Sequence, residues 1–190
     1  MSIKERKVYK VKKGYAILDT DLLGEIGIIV SEQGVEKICL TKESFETYLK
    51  INPDLKQDEV LCRNAKSQIE EYFRGERLIF DLPLVIEGTE FRKQVWKALT
   101  EIPYGETRSY GDIAKAICNP KAVRAVGSAN KANAIPLLIP CHRVIGSKGR
   151  MVGFMGCRTD LQARLLEHEQ RVYRQYQHLC KLSENPYKQN

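Results

Sequence analysis

One cysteine in the second half of the chain has neighbours that could make its thiol reactive. Cys141 follows an apolar run and stands between Pro140 and His142, with Arg143 next in the chain. Pro140 restricts the backbone before it, which predicts that the thiol lies at the rigid end of a buried, strand-like segment. A thiol attacks as the thiolate, and a neighbouring imidazole or guanidinium can lower a cysteine pKa from about 8.5 towards neutrality. The alternative is a buried structural cysteine before a solvated His-Arg pair.

The composition narrows the setting of this chemistry. The chain has 190 residues, 43% hydrophobic and 29% charged, as expected for a globular protein of one or two domains. No apolar run has the length of a membrane span, and the first residues lack the apolar core of a signal peptide. An intracellular protein without membrane contact is expected, cytoplasmic in a prokaryote or nuclear in a eukaryote. The six cysteines form no CxxC pair and the three histidines no HxxxH spacing, which predicts a reducing compartment and no metal.

Positive charge is concentrated in the second half of the chain. Residues 1–83 carry 14 lysines and arginines against 15 acids, whereas residues 84–190 carry 17 against nine. Between residues 108 and 150 there are eight basic residues and a single acid, Asp112. This asymmetry indicates a polyanionic partner on one face, and the alternative is a solvated basic surface.

The first half is predicted to form a small sheet with a helix. Alternating apolar and polar residues over residues 8–39, with glycines at the turns, predict an antiparallel meander. Apolar residues at helical spacing predict a helix over residues 58–74 that stops at Gly75. Residues 78–83 are expected to form a short strand or a connector, and a domain boundary is expected near residues 83–88.

The second half is predicted to be helical, because capping and helix-breaking residues alternate with apolar residues at helical spacing. The predicted helices are capped or begin at Thr89, Ser109, Pro120 and Thr159, and the first three end near Pro103, Ile117 and Asn130. Two short helices joined by a tight turn form a helix-turn-helix, although any two packed helices have the same pattern.

The third predicted helix is unusual for a reader of the major groove. Apart from Arg124 and Lys121, it has few side chains long enough to reach base edges. Small residues let the backbone approach closely, which suits a minor-groove contact with Arg124 inserted as a wedge. Packing of one helix on another explains the same small residues equally well.

Several motifs, in order and at the same spacing, resemble those of the O6-alkylguanine-DNA alkyltransferases, also called methylated-DNA–protein-cysteine methyltransferases. The motifs are FRKQVW at 91–96, IPYGET at 102–107, SY at 109–110, NPKAVRAVG at 119–127 and IPCHRV at 139–144. The resemblance spans roughly residues 89–169, and the first half is similar only in style. It implies an α+β fold: a ribonuclease H-like sheet-plus-helix domain in residues 1–85, a mostly helical domain with a helix-turn-helix in residues 86–182, and a tail in residues 183–190.

The resemblance also implies roles for individual residues. Cys141 would accept the alkyl group, polarised by His142 through a bound water, and a glutamate on the last helix would orient His142. Family spacing selects Glu169 for this role, and Glu167 is the ungapped alternative. Asn133 would brace the turn below the site.

A second group would bind the flipped base and the DNA. Tyr110 would help to rotate the nucleotide and donate a proton towards guanine N3, while Arg124 would fill the gap left by the base. The carbonyls of Cys141 and Val144 would read the exocyclic amine, and the amide of Met155 would face O6. The remaining expected contacts are Phe154 and Gly156 to the substrate, and Lys121, Ala122, Val123, Ala125 and Gly127 to the DNA.

This chain departs from the family pattern around the pocket. Asn133 is followed by Ala134 where the family usually has Asn-Pro. Phe154 stands where a tyrosine usually closes the pocket, and Gly156-Cys157 stands where a Gly-Gly pair is usual. These departures bear on the range of substrates.

The resemblance implies direct-reversal DNA repair, in which the alkyl group of O6-alkylguanine in double-stranded DNA passes irreversibly to Cys141. O4-alkylthymine is a further candidate substrate. A thioether has no easy hydrolytic exit, so a monomer that needs no cofactor would react once. One alternative is a non-catalytic protein that binds alkylated bases and flags them for another repair pathway, and the presence of Cys141 argues against it. Another is a helix-turn-helix transcription regulator, which would need more polar base-reading residues.

Overall fold

The computed structural model describes residues 11–151, 154 and 158–183. The strands are β1 (Lys13–Thr20), β2 (Gly24–Ser31), β3 (Gly34–Cys39), β4 (Lys56–Gln57), β5 (Arg108–Ser109) and β6 (Val144–Ile145). The α-helices are α1 (Lys42–Ile51), α2 (Glu59–Arg74), α3 (Glu90–Thr100), α4 (Tyr110–Ala116), α5 (Val123–Lys131) and α6 (Thr159–Ser183). No helix in the described ranges is both long and apolar enough to span a bilayer. The start of the predicted meander, residues 8–10, and most of the predicted tail lie outside the described residues.

The sheet of the first half is the predicted meander with a helix on each face. Strands β1 to β3 are antiparallel and β4 pairs in parallel with β1, which gives the order β3-β2-β1-β4. Helix α2 covers one face and α1 covers the other, where Phe45 packs on Ile29 and closely over Gly27. Helix α1 is not among the helices predicted from the sequence, and Phe45 is its one buried residue.

Helix α2 has the predicted bounds because both of its ends carry capping residues. The Asp58 side chain accepts a hydrogen bond from the Leu61 N–H at 2.9 Å, and Gly75 ends the helix with a left-handed φ of 76°. Residues 78–83 form a connector without a strand. A single bridge follows them, between Val35 and Leu84.

The helices of the second half begin close to the predicted positions. Thr89 caps α3, and Ser109 caps α4 through a capping box with Asp112. Helix α5 begins at Val123 and not at Pro120, because a turn occupies residues 119–122. Lys121 and Ala122 therefore precede the second helix of the helix-turn-helix, and Thr159 is itself the first residue of α6.

The two halves of the chain pack on each other. Buried apolar residues of the sheet, of α2 and of the later helices form one continuous cluster. The Ile38 N–H at the edge of the sheet donates to the carbonyl of Ala134 at 2.9 Å, which joins β3 to the segment before Cys141. The domain boundary near residues 83–88 stays a prediction.

Candidate active site

Cys141 lies in a turn rather than at the end of a strand. Residues 135–139 form bends and turns, and Cys141 opens a short 3-10 helix, Cys141–Arg143. The predicted strand-like segment is therefore wrong. Leu137 has a left-handed φ of 74°, which interrupts an extended backbone, and the prolines in this segment lack the N–H donors of a strand.

Asn133 closes the turn that carries Cys141. Its side-chain amide donates to the Ile139 carbonyl at 2.8 Å, and its side-chain oxygen accepts from the Ile135 N–H at 3.0 Å. The same side chain hydrogen-bonds the thiol of Cys141. Asn133 thus occupies the bracing position expected from the sequence, with Ala134 fixed to the sheet edge directly after it.

The thiol of Cys141 is 3% exposed and protonated at neutral pH. Burial raises the pKa of Cys141 to about 11, and hydrogen bonds from Asn133 and the local backbone offset this only in part. The expected lowering towards neutrality is wrong for the resting protein, because the Arg143 guanidinium is turned away to pair with Glu169. The thiol therefore needs a base to take its proton during a reaction.

A buried ion-pair network begins at His142, the residue that follows Cys141 in the chain. His142 Nε2 is 2.8 Å from Glu169 Oε1, and Arg143 donates to both oxygens of Glu169, from Nε and Nη2, at 2.9 Å each. Burial by itself would raise the pKa of Glu169, but His142 and Arg143 outweigh it and hold that pKa well below its usual range. Glu167 is exposed on the same helix, so contact decides between the two glutamates in favour of Glu169.

Two further donors reach the same carboxylate. The Tyr72 hydroxyl donates to Glu169 Oε1 at 2.9 Å, and the Gly105 N–H donates to Oε2 at 3.2 Å. His142 Nδ1 is buried and makes no hydrogen bond to the described protein atoms. With Nε2 donating to Glu169, Nδ1 is the ring nitrogen that carries a lone pair.

A cavity of about 300 Å³ opens beside the thiol, and both halves of the chain line it. The second-half wall consists of Asn130, Lys131, Asn133, Pro136, Cys141 and Phe154. The first-half wall consists of Lys37, Ile38, Cys39 and Ser44. Of these residues, Phe154 is the buried pocket residue expected from the sequence, and nothing in the sequence pattern indicated the first-half wall.

The carbonyls expected to read the base already have protein partners. Asn130 donates to the Cys141 carbonyl at 3.1 Å. Gln162 donates to the Val144 carbonyl at 2.9 Å and to the His142 carbonyl at 3.1 Å. A carbonyl oxygen has two lone pairs, so a contact of Cys141 or Val144 with a base would use the second one. Sequence reasoning missed Asn130 and Gln162, since neither stands beside the cysteine in the chain.

Tyr110 and the exposed face of α5 lie on the same side of the site. Burial raises the pKa of Tyr110, while a hydrogen bond with Asn130 lowers it. Gly127 lies beside the Tyr110 ring, and a Cβ at this position would be in ordinary van der Waals contact with that ring, at 3.9 Å. In α5, Val126 and Ala129 are buried against the core. The remaining expected DNA contacts are exposed at Lys121, Val123, Arg124 and Ala125 and half-buried at Ala122 and Gly127.

Helix packing thus explains the small residues on the buried face of α5, and DNA contact by the exposed face stays a prediction. Met155 and Gly156, two of the expected substrate contacts, lie outside the described residues, as does Cys157. A sheet with helices on both faces, a helix-turn-helix with an exposed arginine, and a cysteine next to a His-Glu-Arg network are the features that the sequence predicts for a DNA-binding protein with an acceptor thiol.

Family comparison covers both halves of the chain. Residues 14–86 match the family described as 6-O-methylguanine DNA methyltransferase, ribonuclease-like domain, and residues 90–171 match its DNA binding domain. The constitutive methylated-DNA–protein-cysteine methyltransferase of Bacillus subtilis is 45% identical over 155 residues, which cover 80% of this chain and 93% of the relative. The Methanosarcina acetivorans protein of that type is 46% identical over 155 residues, covering 82% and 97%.

A solved structure supports the same assignment. The crystal structure of Mycobacterium tuberculosis OGT in complex with DNA has a TM-score of 0.74 and 37% identity, and the match covers 84% of this chain and 94% of that one. The chain belongs to the 6-O-methylguanine DNA methyltransferase family. It is an enzyme of the methylated-DNA–protein-cysteine methyltransferase type, and the α+β fold expected from the sequence is confirmed.

Proposed function

We propose that this protein repairs duplex DNA by moving the alkyl group of O6-alkylguanine to Sγ of Cys141, once per molecule. The observation that carries the proposal is a buried thiol that faces a cavity and stands directly before a histidine held by a buried carboxylate. The names of the relatives and the DNA complex of the Mycobacterium tuberculosis protein support the substrate and the partner.

Activation of the thiol falls to His142. Because burial keeps the pKa of Cys141 high, the thiol is neutral until Nδ1 of His142 takes its proton through a bridging water. Glu169 then stabilises the imidazolium through Nε2. The network is preorganised for this charge, since it is buried and already bonded in the resting protein.

The transfer itself balances without a cofactor. Sγ attacks the alkyl carbon, an S–C bond forms, and the bond between that carbon and O6 breaks with its electron pair passing to the guanine. Tyr110 donates a proton to the ring, which makes guanine a better leaving group. The imidazolium of His142 releases the thiol proton to solvent, and solvent returns one proton to Tyr110, so the proton lost by the thiol balances the one that guanine gains. The thioether on Cys141 and an unmodified guanine are the products.

The DNA must present the base outside its stack. Extrusion of a base costs a few kcal/mol, which contacts in the pocket and the duplex offset. Arg124 is exposed on α5, whose small exposed residues allow close approach to a shallow groove. In this proposal the Arg124 side chain takes the place of the extruded base.

Intact-mass measurement tests the transfer. After incubation with excess duplex that carries O6-methylguanine, we expect the wild type to gain one methyl group and Cys141→Ser to gain none. Cys39→Ser is the matched control, because its thiol lines the same cavity, and it should gain one methyl group as the wild type does. Tight binding to the alkylated duplex without a gain in mass would contradict transfer and would support the lesion-binding alternative.

A second experiment tests the role of Arg124. The Arg124→Ala variant should repair duplex DNA much more slowly than the wild type, by about 10-fold or more if a contact of about 1.4 kcal/mol is lost. Its reaction with free O6-benzylguanine should keep the wild-type rate, since a free base needs no extrusion. Equal losses on both substrates would contradict the proposed role.

A further inference from the structure

The carboxylate of Glu169 is bonded from both halves of the chain. Five hydrogen bonds from four residues reach its two oxygens, and one of the donors, Tyr72, belongs to α2 of the first half. The hydroxyl of Tyr72 shares Oε1 with His142 Nε2 and with Arg143 Nη2. A side chain that the sequence pattern places in the sheet core therefore competes with the histidine for one oxygen atom.

The position of the Tyr72 hydroxyl is fixed by its surroundings. The side chain is fully buried, and its ring packs against Phe73 at 5.2 Å, Phe80 at 5.6 Å and Tyr104 at 5.9 Å between ring centroids. Aromatic neighbours on several sides leave the ring little freedom to turn the hydroxyl away from Glu169. Burial raises the pKa of Tyr72 well above its ordinary value, so the hydroxyl is a donor throughout the working pH range.

We propose that Tyr72 is a positioning residue for alkyl transfer, which limits how strongly Glu169 holds the proton shared with His142. This inference rests on the proposed function and deepens it, because it gives the first half of the chain a part in activating the thiol. Tyr72 is not among the described residues that line the cavity, and its hydroxyl donates to Glu169, so in this proposal it acts through Glu169.

The direction of the effect follows from competition at Oε1. A carboxylate oxygen that loses one donor becomes a stronger acceptor for the donors that remain. Without the Tyr72 hydroxyl, Glu169 would hold the His142 imidazolium more tightly. The imidazole would then be protonated from solvent at a higher pH, and in that form it cannot accept the proton of Cys141.

Other groups around Glu169 are the same in the test variant and in the wild type. Among the described residues, the polar and titratable groups that face the carboxylate are Tyr72 from α2, Tyr104 and the Gly105 N–H from the loop after α3, His142 and Arg143 from the 3-10 helix, and His168 of α6 itself, whose ring contacts Arg171. Replacement of Tyr72 by phenylalanine removes one hydroxyl from this set and keeps its ring.

The test is the pH dependence of single-turnover alkyl transfer from O6-methylguanine duplex to the full chain. We expect Tyr72→Phe to move the acidic side of the profile upwards by about 0.5 to 1 pH unit, which is the net contribution of one ordinary hydrogen bond converted to a change in pH. Tyr104→Phe is the matched control. It also removes a buried hydroxyl beside Glu169, but that hydroxyl makes no hydrogen bond to the described residues, so its profile should follow the wild type.

Two outcomes would overturn the inference. The first is that the pH profiles of the wild type and Tyr72→Phe have the same shape. This would show that Tyr72 contributes packing alone, whatever happens to the overall rate, and it includes the case in which the wild type and both variants show no pH dependence. An equal displacement in Tyr104→Phe would show that any change of the aromatic cluster moves the profile. Failure of the wild type to gain a methyl group would count against the proposed function instead, so the two failures are distinguishable.

A second substitution guards against misfolding of the phenylalanine variant. A fluorinated tyrosine at position 72 keeps the ring and the hydroxyl and makes the hydroxyl a stronger donor. It should move the acidic side of the profile in the opposite direction, to lower pH. A displacement in the same direction as Tyr72→Phe, or none, would contradict the inference.

Discussion

The two walls of the cavity each carry a buried cysteine, and only one of the two has a base behind it. Burial raises the pKa of Cys39 in the first-half wall, where Lys37 and a hydrogen bond with Ser44 offset part of the effect. Burial likewise raises the pKa of Cys141 in the second-half wall, to about 11. Thiol ionisation in the resting protein therefore does not distinguish the nucleophile.

What lies behind each thiol differs completely. Cys39 packs against Ile29 and Phe45, an apolar cluster between the sheet and α1. Cys141 is followed by His142, whose ring is bonded to a buried carboxylate. The comparison teaches that, in the proposed function, Cys141 is distinguished by a neighbouring base that can accept its proton. A lowered thiol pKa in the resting protein is not required.

The largest expected effect, on the free energy of unfolding, comes from removal of the Glu169 carboxylate, which pairs with residues of the second-half wall's 3-10 helix. Glu169→Ala leaves the Arg143 guanidinium buried without its partner, and loss of one member of a buried ion pair costs about 3–5 kcal/mol of unfolding free energy. Chemical denaturation measures this loss. Glu167→Ala is the matched control on the same helix, where the side chain is exposed, and it should change the unfolding free energy by about 0.5 kcal/mol or less. Equal losses of unfolding free energy in the two variants would show that the ion pairs of Glu169 do not stabilise the fold.

A smaller effect is expected from acid. The pKa of Glu169 is lower in the folded protein than its ordinary value of 4.5, so its stabilising contribution is complete above about pH 4.5 and declines as the pH falls towards the lowered value. One proton contributes about 1.4 kcal/mol per pH unit, so the stability difference between the wild type and Glu169→Gln should narrow by up to about 2 kcal/mol between about pH 4.5 and pH 3. Urea denaturation across this range measures it. A difference that stays constant would mean that Glu169 takes up its proton at the ordinary pH.

Local signals in the sequence predict a large part of the fold and the adjacent thiol and imidazole of the candidate site. Caps at Asp58 and Gly75 bound α2 correctly because they act on the neighbouring backbone. Adjacency in the chain brings Cys141 and His142 together, and the spacing of the family that the sequence resembles makes Glu169 a candidate. These features depend on residues that are close together in the chain, and for this reason they can be predicted from the sequence.

The features that could not be predicted depend on contacts between distant parts of the chain. Tyr72 and Glu169 are 97 positions apart, and the apolar spacing of α2 marks Tyr72 as a core residue without indicating the partner of its hydroxyl. Burial determines the direction of the Cys141 pKa shift, and Arg143, which is adjacent in the chain, pairs with Glu169 instead, so adjacency suggested the wrong direction. Burial and side-chain direction are properties of the packed halves together.

The smallest expected effect concerns the positive charge that the two walls share. Each contributes a lysine, Lys37 or Lys131, and none of the described residues that line the cavity is acidic. Replacement of either lysine by alanine should therefore slow the transfer of an adduct that ends in a carboxylate, such as that of O6-carboxymethylguanine, more than it slows the transfer of a methyl group. A partly exposed charge pair contributes about 0.2–1 kcal/mol, so the carboxymethyl-to-methyl ratio of transfer rates should fall by about 1.4- to 5-fold in each variant. A fall in Lys131→Ala alone would show that the first-half wall lines the cavity without binding the adduct, and the comparison would then extend from nucleophile activation to substrate binding.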